Sequence, residues 1–319
     1  MYGRYTSLHV TLAVLGIVLT PLMPNPSLAD EGGGSLYLPG SFGSLAAVPG
    51  APGWSLASVY YHGTGAFKIS TVGYSSEKSD TGYAALTYTF DQSVLGGQLG
   101  LSMTGALGRT QASLTGFAED LRYGFNDLLP AATLRWNAGV HNYMVYGQGE
   151  IPVGTYNPLR LANFGIGHGG IDGGAGYTYF DKETGYEFST VGGLTYNLRN
   201  THTQYQNGID AHIDWGASKF LSEQVHIGLV GYYYQQLTPD KGQLPILGEF
   251  KSRVVAVGPQ IGYFFPIGDA QGYVNLKGYQ EFAARNRPAG LNVWLSLVIS
   301  PKAPEAAPAP RLGRPPLGH

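Results

Sequence analysis

Between Trp54 and Ser300, apolar or aromatic side chains recur at every second position in segments of about ten residues. Successive side chains of a strand point to opposite faces, so this period builds a two-faced strand and not a helix. The stretch from Ile209 to Ala217 shows it plainly. Ile209, Ala211, Ile213, Trp215 and Ala217 share one face, and Asp210, His212 and Asp214 share the other. Val225, Ile227, Leu229, Gly231 and Tyr233 continue the pattern, as do Val274, Leu276 and Gly278 against Asn275, Lys277 and Tyr279. Tyr143, Val145, Gly147 and Gly149 oppose Asn142, Tyr146, Gln148 and Glu150, and the last segment places Leu291, Val293, Leu295, Leu297 and Ile299 on one side. Composition agrees: 48 glycines in 319 residues weaken helix interiors, and 23 tyrosines suit strands.

Twelve segments are delimited, near 54–62, 82–90, 98–108, 126–136, 142–153, 170–180, 186–197, 208–220, 224–237, 250–265, 271–283 and 290–300. The connections between them alternate in length. Short turns are expected at 91–97, 137–141, 181–185, 221–223 and 266–270, and longer links at 63–81, 109–125 and 154–169. Short turns at one end and long loops at the other are the asymmetry of an outer-membrane barrel. A soluble sandwich also alternates, but its exposed face is rich in charge. Here only 13% of the residues are charged, and aromatic residues gather towards the segment ends as interfacial girdles would require. The expected fold is therefore all-β, a transmembrane antiparallel β-barrel of about 12 strands and outer-membrane type. The residues on the apolar face, Ile213, Trp215, Ile227, Leu229, Leu276, Val293 and Leu295, are expected to face lipid.

The flanks divide the chain further. Residues 1–29 read as a signal peptide: Arg4 gives a positive start, Leu8 to Leu19 an apolar run, and Ser27-Leu28-Ala29 a small-residue cleavage site before Asp30. Pro21, Pro24 and Pro26 interrupt that run short of the ~20 apolar residues that a spanning helix needs. Residues 30–53 form a Gly/Pro-rich amino-terminal segment that turns repeatedly yet carries Leu36, Tyr37, Leu38, Phe42 and Leu45, too apolar for a solvated linker. It reads either as a plug inside the lumen or as a periplasmic arm against the barrel mouth. Residues 54–300 form the barrel, and the Pro-rich stretch 301–319 reads as a disordered tail. Trp294, within the last strand, is expected to take the place of the aromatic residue that usually closes such a barrel.

Several chemistries are excluded or unsupported. The chain has no cysteine, so disulfides, thiolate metal sites and a cysteine nucleophile are absent, and a net charge of -2 offers no field for nucleic acid. The Gly-rich stretch 165–176 lacks the Lys-Ser/Thr ending of a phosphate loop, and no Gly-x-Ser-x-Gly elbow occurs. Asp210, His212 and Asp214 share a face and could build a metal or acid/base site. Without a second histidine cluster, a hydrated lumen lining accounts for them more simply. No catalytic, cofactor or metal site is expected. The lumen candidates are Arg135, Glu150, Asp172, Glu187, Asp210, His212, Asp214, Lys277 and Glu281, with charges expected to pair across the interior. His168 and Asp172 also suggest a ligand gate, which a flexible outer hairpin would equally explain.

Four longer strings carry a family likeness: LPGSFGSLAAVPGAPGW at 38–54, IGHGGIDGGAGYTYF at 166–180, TQYQNGID at 203–210 and FKSRV at 250–254. They resemble outer-membrane proteins of the meta-pathway phenol-degradation, transporter-like family, over roughly residues 30–300. The resemblance implies an outer-membrane barrel linked with uptake in aromatic catabolism, and it brings no catalytic residues with it. The expected function is passive passage of small apolar or aromatic compounds. The expected partners are those solutes, membrane lipids, lipopolysaccharide and the barrel-assembly machinery. An outer-membrane hydrolase and a structural surface barrel are the alternatives.

Overall fold

The computed structural model of the chain describes residues 35–69, 73–242 and 251–302. The expected signal peptide at 1–29 lies outside the described residues, as does the Pro-rich tail beyond Lys302. The strands are β1 (Gly53–Ile69), β2 (Gly73–Val94), β3 (Gly97–Leu114), β4 (Ala118–Phe125), β5 (Leu129–Ala138), β6 (His141–Glu150), β7 (Gly170–Asp181), β8 (Tyr186–Asn197), β9 (Ile209–Phe220), β10 (Val225–Gln236), β11 (Arg253–Ile267), β12 (Ala270–Arg285) and β13 (Leu291–Pro301). Among the described residues no helix is long and apolar enough to cross a membrane. Strands make the crossing.

Apart from β4 and β5, each strand pairs antiparallel with its neighbours in the chain, and β1 pairs with β13 in the register Leu56↔Ile299 to Gly63↔Asn292, which closes the sheet. β4 and β5 both lie along β3: β4 pairs with Leu107 to Leu114 and β5 with Gln98 to Thr104. They are the two halves of one wall strand broken at 126–128, so the barrel has twelve wall positions. The break is fastened by Asp127, whose carboxylate accepts from the amides of Gly154 (2.7 Å) and Ile166 (2.9 Å) in the connection after β6. Closure removes the unpaired edges that backbone polar groups cannot tolerate in lipid.

The period of two sets the faces. Ile213, Ile227, Leu229, Leu276 and Leu295 stand exposed on the outer wall, while Asp210, His212 and Asp214, their alternates on β9, are no more than 1% exposed. Exposed aromatics flank this apolar belt: Trp54, Tyr143, Tyr186 and Tyr263 towards the short-turn end, and Tyr60, Tyr123, Tyr196, Tyr233 and Phe282 towards the other. Such girdles mark the two membrane interfaces.

Three expectations need correction. The stretch 63–81 is not a loop: β1 and β2 stay paired through Gly63↔Ser79 and Gly65↔Glu77 to Ile69↔Gly73. The stretch 109–125 is likewise the end of β3 and all of β4, joined by a turn at 115–117. β13 ceases to pair with β1 at Gly63↔Asn292, and beyond it the hairpin keeps one bridge to the chain before β13, Ala66↔Ala289. Outside the apolar belt no lipid demands an apolar face, and the alternation that identifies a strand disappears. Trp294 also faces inward: it is 6% exposed and sits edge-on to Tyr61, ring centroids 4.9 Å apart. It shares the parity of Asn292, not that of the exposed Leu295.

Candidate functional site

The interior is organised by one row of the ladder. Tyr146 of β6 pairs with Gly174 of β7, Gly174 with Gly193 of β8, and Gly193 with His212 of β9. The two glycines leave a slot into which the flanking rings lean, bringing the Tyr146 hydroxyl to 3.3 Å from His212 Nε2. A Cβ on Gly193 would lie 2.3 Å from that hydroxyl and 2.7 Å from the imidazole, so the slot needs glycine there. In the next row Asp172 pairs with Thr195. Its Oδ2 accepts from the Thr195 hydroxyl at 2.6 Å and lies 3.0 Å from His212 Nε2. Asp172 and His212 are both fully buried.

The amino-terminal segment meets this row. Tyr37 lies flat on His212, with ring centroids 3.4 Å apart and planes 11° from parallel. Its hydroxyl donates to Asp214 Oδ2 at 2.6 Å. The same carboxylate accepts from the amides of Gly40 (3.2 Å) and Phe42 (2.9 Å). Burial, and then the charge of Asp214, hold the Tyr37 phenol well above its ordinary pKa, so it remains the donor of this bond. Further along, the Leu45 amide donates to Glu187 Oε1 at 2.9 Å and the Ala47 amide to Thr178 Oγ1 at 3.0 Å. Leu36 packs at Gly170, Leu38 on the buried cluster that includes Val230, Tyr232 and Tyr279, and Phe42 on Tyr146 and the cluster it shares with Met144 and Val191. Gly40 takes φ +88°, a conformation that favours glycine, and a Cβ on Gly216 would meet the Ser44 amide at 2.8 Å. Both glycines let the segment approach the wall.

Two inward cations also serve this segment. Lys277 Nζ donates to the carbonyls of Gly40 (2.7 Å) and Phe42 (3.4 Å), and Arg135 Nε to that of Ala46 (3.3 Å). The sequence led us to expect charges paired across the interior. Instead these cations bind carbonyls, Glu187 accepts from Ser189 and the Leu45 amide, and Asp210 accepts from Asn197 Nδ2 at 2.9 Å and Ser35 at 3.4 Å. The non-strand segment inside the barrel and polar wall side chains supply these partners, while Asp172 does pair with His212 across β7 and β9.

Two candidates take their partners elsewhere. Glu150 ends β6 beside Asp127. Glu281 accepts from the Tyr232 hydroxyl (2.6 Å) and the Gly290 amide (3.0 Å), and it lines a cleft of about 110 Å³ with Tyr61, Glu77, Arg287 and Asn292. The sequence reading missed Tyr146, Thr195 and Tyr279 as members of the cluster. The signal was present for Tyr146 and Tyr279, whose parity matches Asn142 and Lys277. Thr195 enters only through the register of β8.

A closed antiparallel barrel with an exposed apolar belt, aromatic girdles and a polar, buried interior is a β-barrel of the bacterial outer membrane. The chain belongs to the family described as "Putative MetA-pathway of phenol degradation", whose model matches residues 70–297. No curated protein matches the sequence. Among solved structures, the COG4313 outer membrane channel from Pseudomonas putida F1 is similar with a TM-score of 0.69 at 16% identity, over 82% of this chain and 99% of that one. The β domain of the Bordetella autotransporter BrkA is similar with a TM-score of 0.51 at 8% identity, over 78% of this chain and 99% of that one. At these identities the likeness concerns the fold.

Proposed function

We propose that this barrel is a passive outer-membrane route for small apolar or aromatic compounds, and that the segment at 30–53 acts as a plug in its lumen. The observation that carries the reading is the hydrogen bonding of residues 35–47 to inward side chains from β5, β7, β8, β9, β11 and β12. The polar side of the interior is thus held by a short strap, which also packs on two buried clusters of apolar and aromatic side chains. Carboxylates, amides and tyrosines that bind a strap can line a path once the strap shifts, offering weak stacking and hydrogen bonds without trapping a solute. Membership of a phenol-degradation family and the fold shared with an outer membrane channel support the same reading.

In this reading Arg135, Asp172, Glu187, Asp210, His212, Asp214 and Lys277 line the path, Glu281 lies at its outer mouth, and Glu150 supports the wall. Lipid and lipopolysaccharide meet the outer face, and assembly machinery inserts it. In this reading the barrel performs no reaction: the hydroxyls set beside the Asp172–His212 pair are those of Tyr146 and Thr195, both wall residues, and the pair orients that wall.

The test is initial uptake of a labelled phenol by cells with and without the protein, its later metabolism blocked, in the presence and absence of an uncoupler. Protein-dependent uptake that the uncoupler leaves unchanged is expected. Uptake that is equal with and without the protein overturns the reading.

A further inference from the structure

The side chain of tyrosine is a phenol, and the way the lumen holds Tyr37 is the way a site would hold a free one. Its ring is covered on one face by His212 at 3.4 Å, with Phe42 stacked beyond at 6.4 Å and 21°. Phe42 in turn leans on Tyr146 at 5.3 Å, continuing the aromatic wall. The hydroxyl ends on a carboxylate oxygen of Asp214, 2.6 Å away and 1% exposed. A flat slot walled by aromatic rings and closed at one end by a buried carboxyl acceptor selects an aromatic ring that carries one hydroxyl. The histidine is itself braced, through Asp172 at 3.0 Å and the Tyr146 hydroxyl at 3.3 Å, so its ring plane is fixed before anything lies on it. Gly193, which clears the space for both rings, belongs to the same arrangement.

We propose that this slot is a subsite for a phenol, the ring on the face of His212 and the hydroxyl donating to Asp214, and that Tyr37 fills it from within the chain when no solute does. A solute entering the slot takes the contacts of Tyr37 and so releases one anchor of the strap. The assignment rests on the channel reading for its physiological meaning but is tested apart from it.

Removing the tyrosine ring opens a cavity of the shape it leaves, and such cavities take up small molecules of that shape. The probe is p-cresol, the tyrosine side chain cut at Cα, with toluene as the same outline lacking the hydroxyl. In Tyr37→Ala, folded in detergent and checked by heat-modifiable mobility, calorimetry is expected to show saturable binding of one p-cresol per chain. Toluene is expected to bind about tenfold more weakly or less, having no donor for a buried carboxylate. His212→Ala in the same background is expected to weaken p-cresol by about tenfold, and the natural chain, where Tyr37 competes for the slot, to bind it at least tenfold more weakly than Tyr37→Ala. A folded Tyr37→Ala barrel that binds no p-cresol, or binds toluene equally well, overturns the assignment. Should Tyr37→Ala fail to fold alone, refolding with p-cresol present decides the matter: rescue supports the subsite, and failure overturns it. Phenol flux into liposomes by the natural chain separates the two readings. Binding to Tyr37→Ala without flux upholds the subsite and defeats the channel; flux without binding does the reverse.

Discussion

Asp214 carries more of the strap than any other side chain. It takes three donors from residues 37–42, two of them backbone amides, within 3.2 Å. Truncation leaves buried donors without a partner, at about 1–3 kcal/mol each. Asp214→Ala is therefore expected to undock residues 37–42 while the wall stays intact. Limited proteolysis of the folded barrel should cut the variant within 35–47 at least tenfold faster than the natural chain, with heat-modifiable mobility unchanged. Asp214→Asn keeps one acceptor oxygen and should fall between the two. Equal cutting of all three would remove Asp214 from this role. The parity of Asp210, His212 and Asp214 on one face was legible in the sequence, because a strand of period two fixes it locally. The seat of Tyr37 on His212 was not, since 175 residues separate them and only closure of the barrel brings them together.

At the scale of elements, sequence alternation located what lipid touches and little else. β9 and β10 were readable throughout because the outer wall must be apolar at every second position. The upper parts of β1, β2 and β3 run through Glu77, Lys78, Ser79 and Asp80, where the ladder continues and the alternation stops. The break between β4 and β5 was hidden for a similar reason: 109–125 read as a link and 126–136 as one strand, although Asp127 binds the connection after β6. Two predictions follow from the elements themselves. Leu229, 53% exposed in the apolar belt, should tolerate Phe but not Arg, and Leu229→Arg is expected to lower unfolding stability by about 2–4 kcal/mol if it meets the bilayer centre. Urea unfolding in lipid vesicles measures this, and a loss below about 1 kcal/mol would place the residue near an interface instead. Asp127→Ala should free the connection at 151–169 from the wall break, seen as faster amide exchange at Gly154 and Ile166. Unchanged exchange there would mean that the 126–128 break holds itself.

For the whole molecule, the wall and its contents are separable. The ladder closes through β1 and β13 without the strap, and the apolar belt lies outside it. Deleting residues 35–49 should therefore leave a folded barrel. It should also leave Asp172, Glu187, Asp210 and Asp214 in the lumen against Arg135 and Lys277, with water replacing the strap groups that now bind Glu187, Asp210, Asp214, Arg135 and Lys277. Charges that line a water-filled barrel set its selectivity, and here the carboxylates outnumber the cations. The deleted barrel is expected to show a higher single-channel conductance than the natural chain in planar bilayers, and a reversal potential shifted towards that of the cation in a potassium chloride gradient. Lys277→Met in the deleted barrel removes one of the two opposing cations and should push that potential further the same way. An unchanged conductance would mean that the strap lies beside the path and not across it, as the periplasmic-arm reading holds. A raised conductance with anion preference would mean that the carboxylates around β7 to β9 remain neutral once the strap has gone.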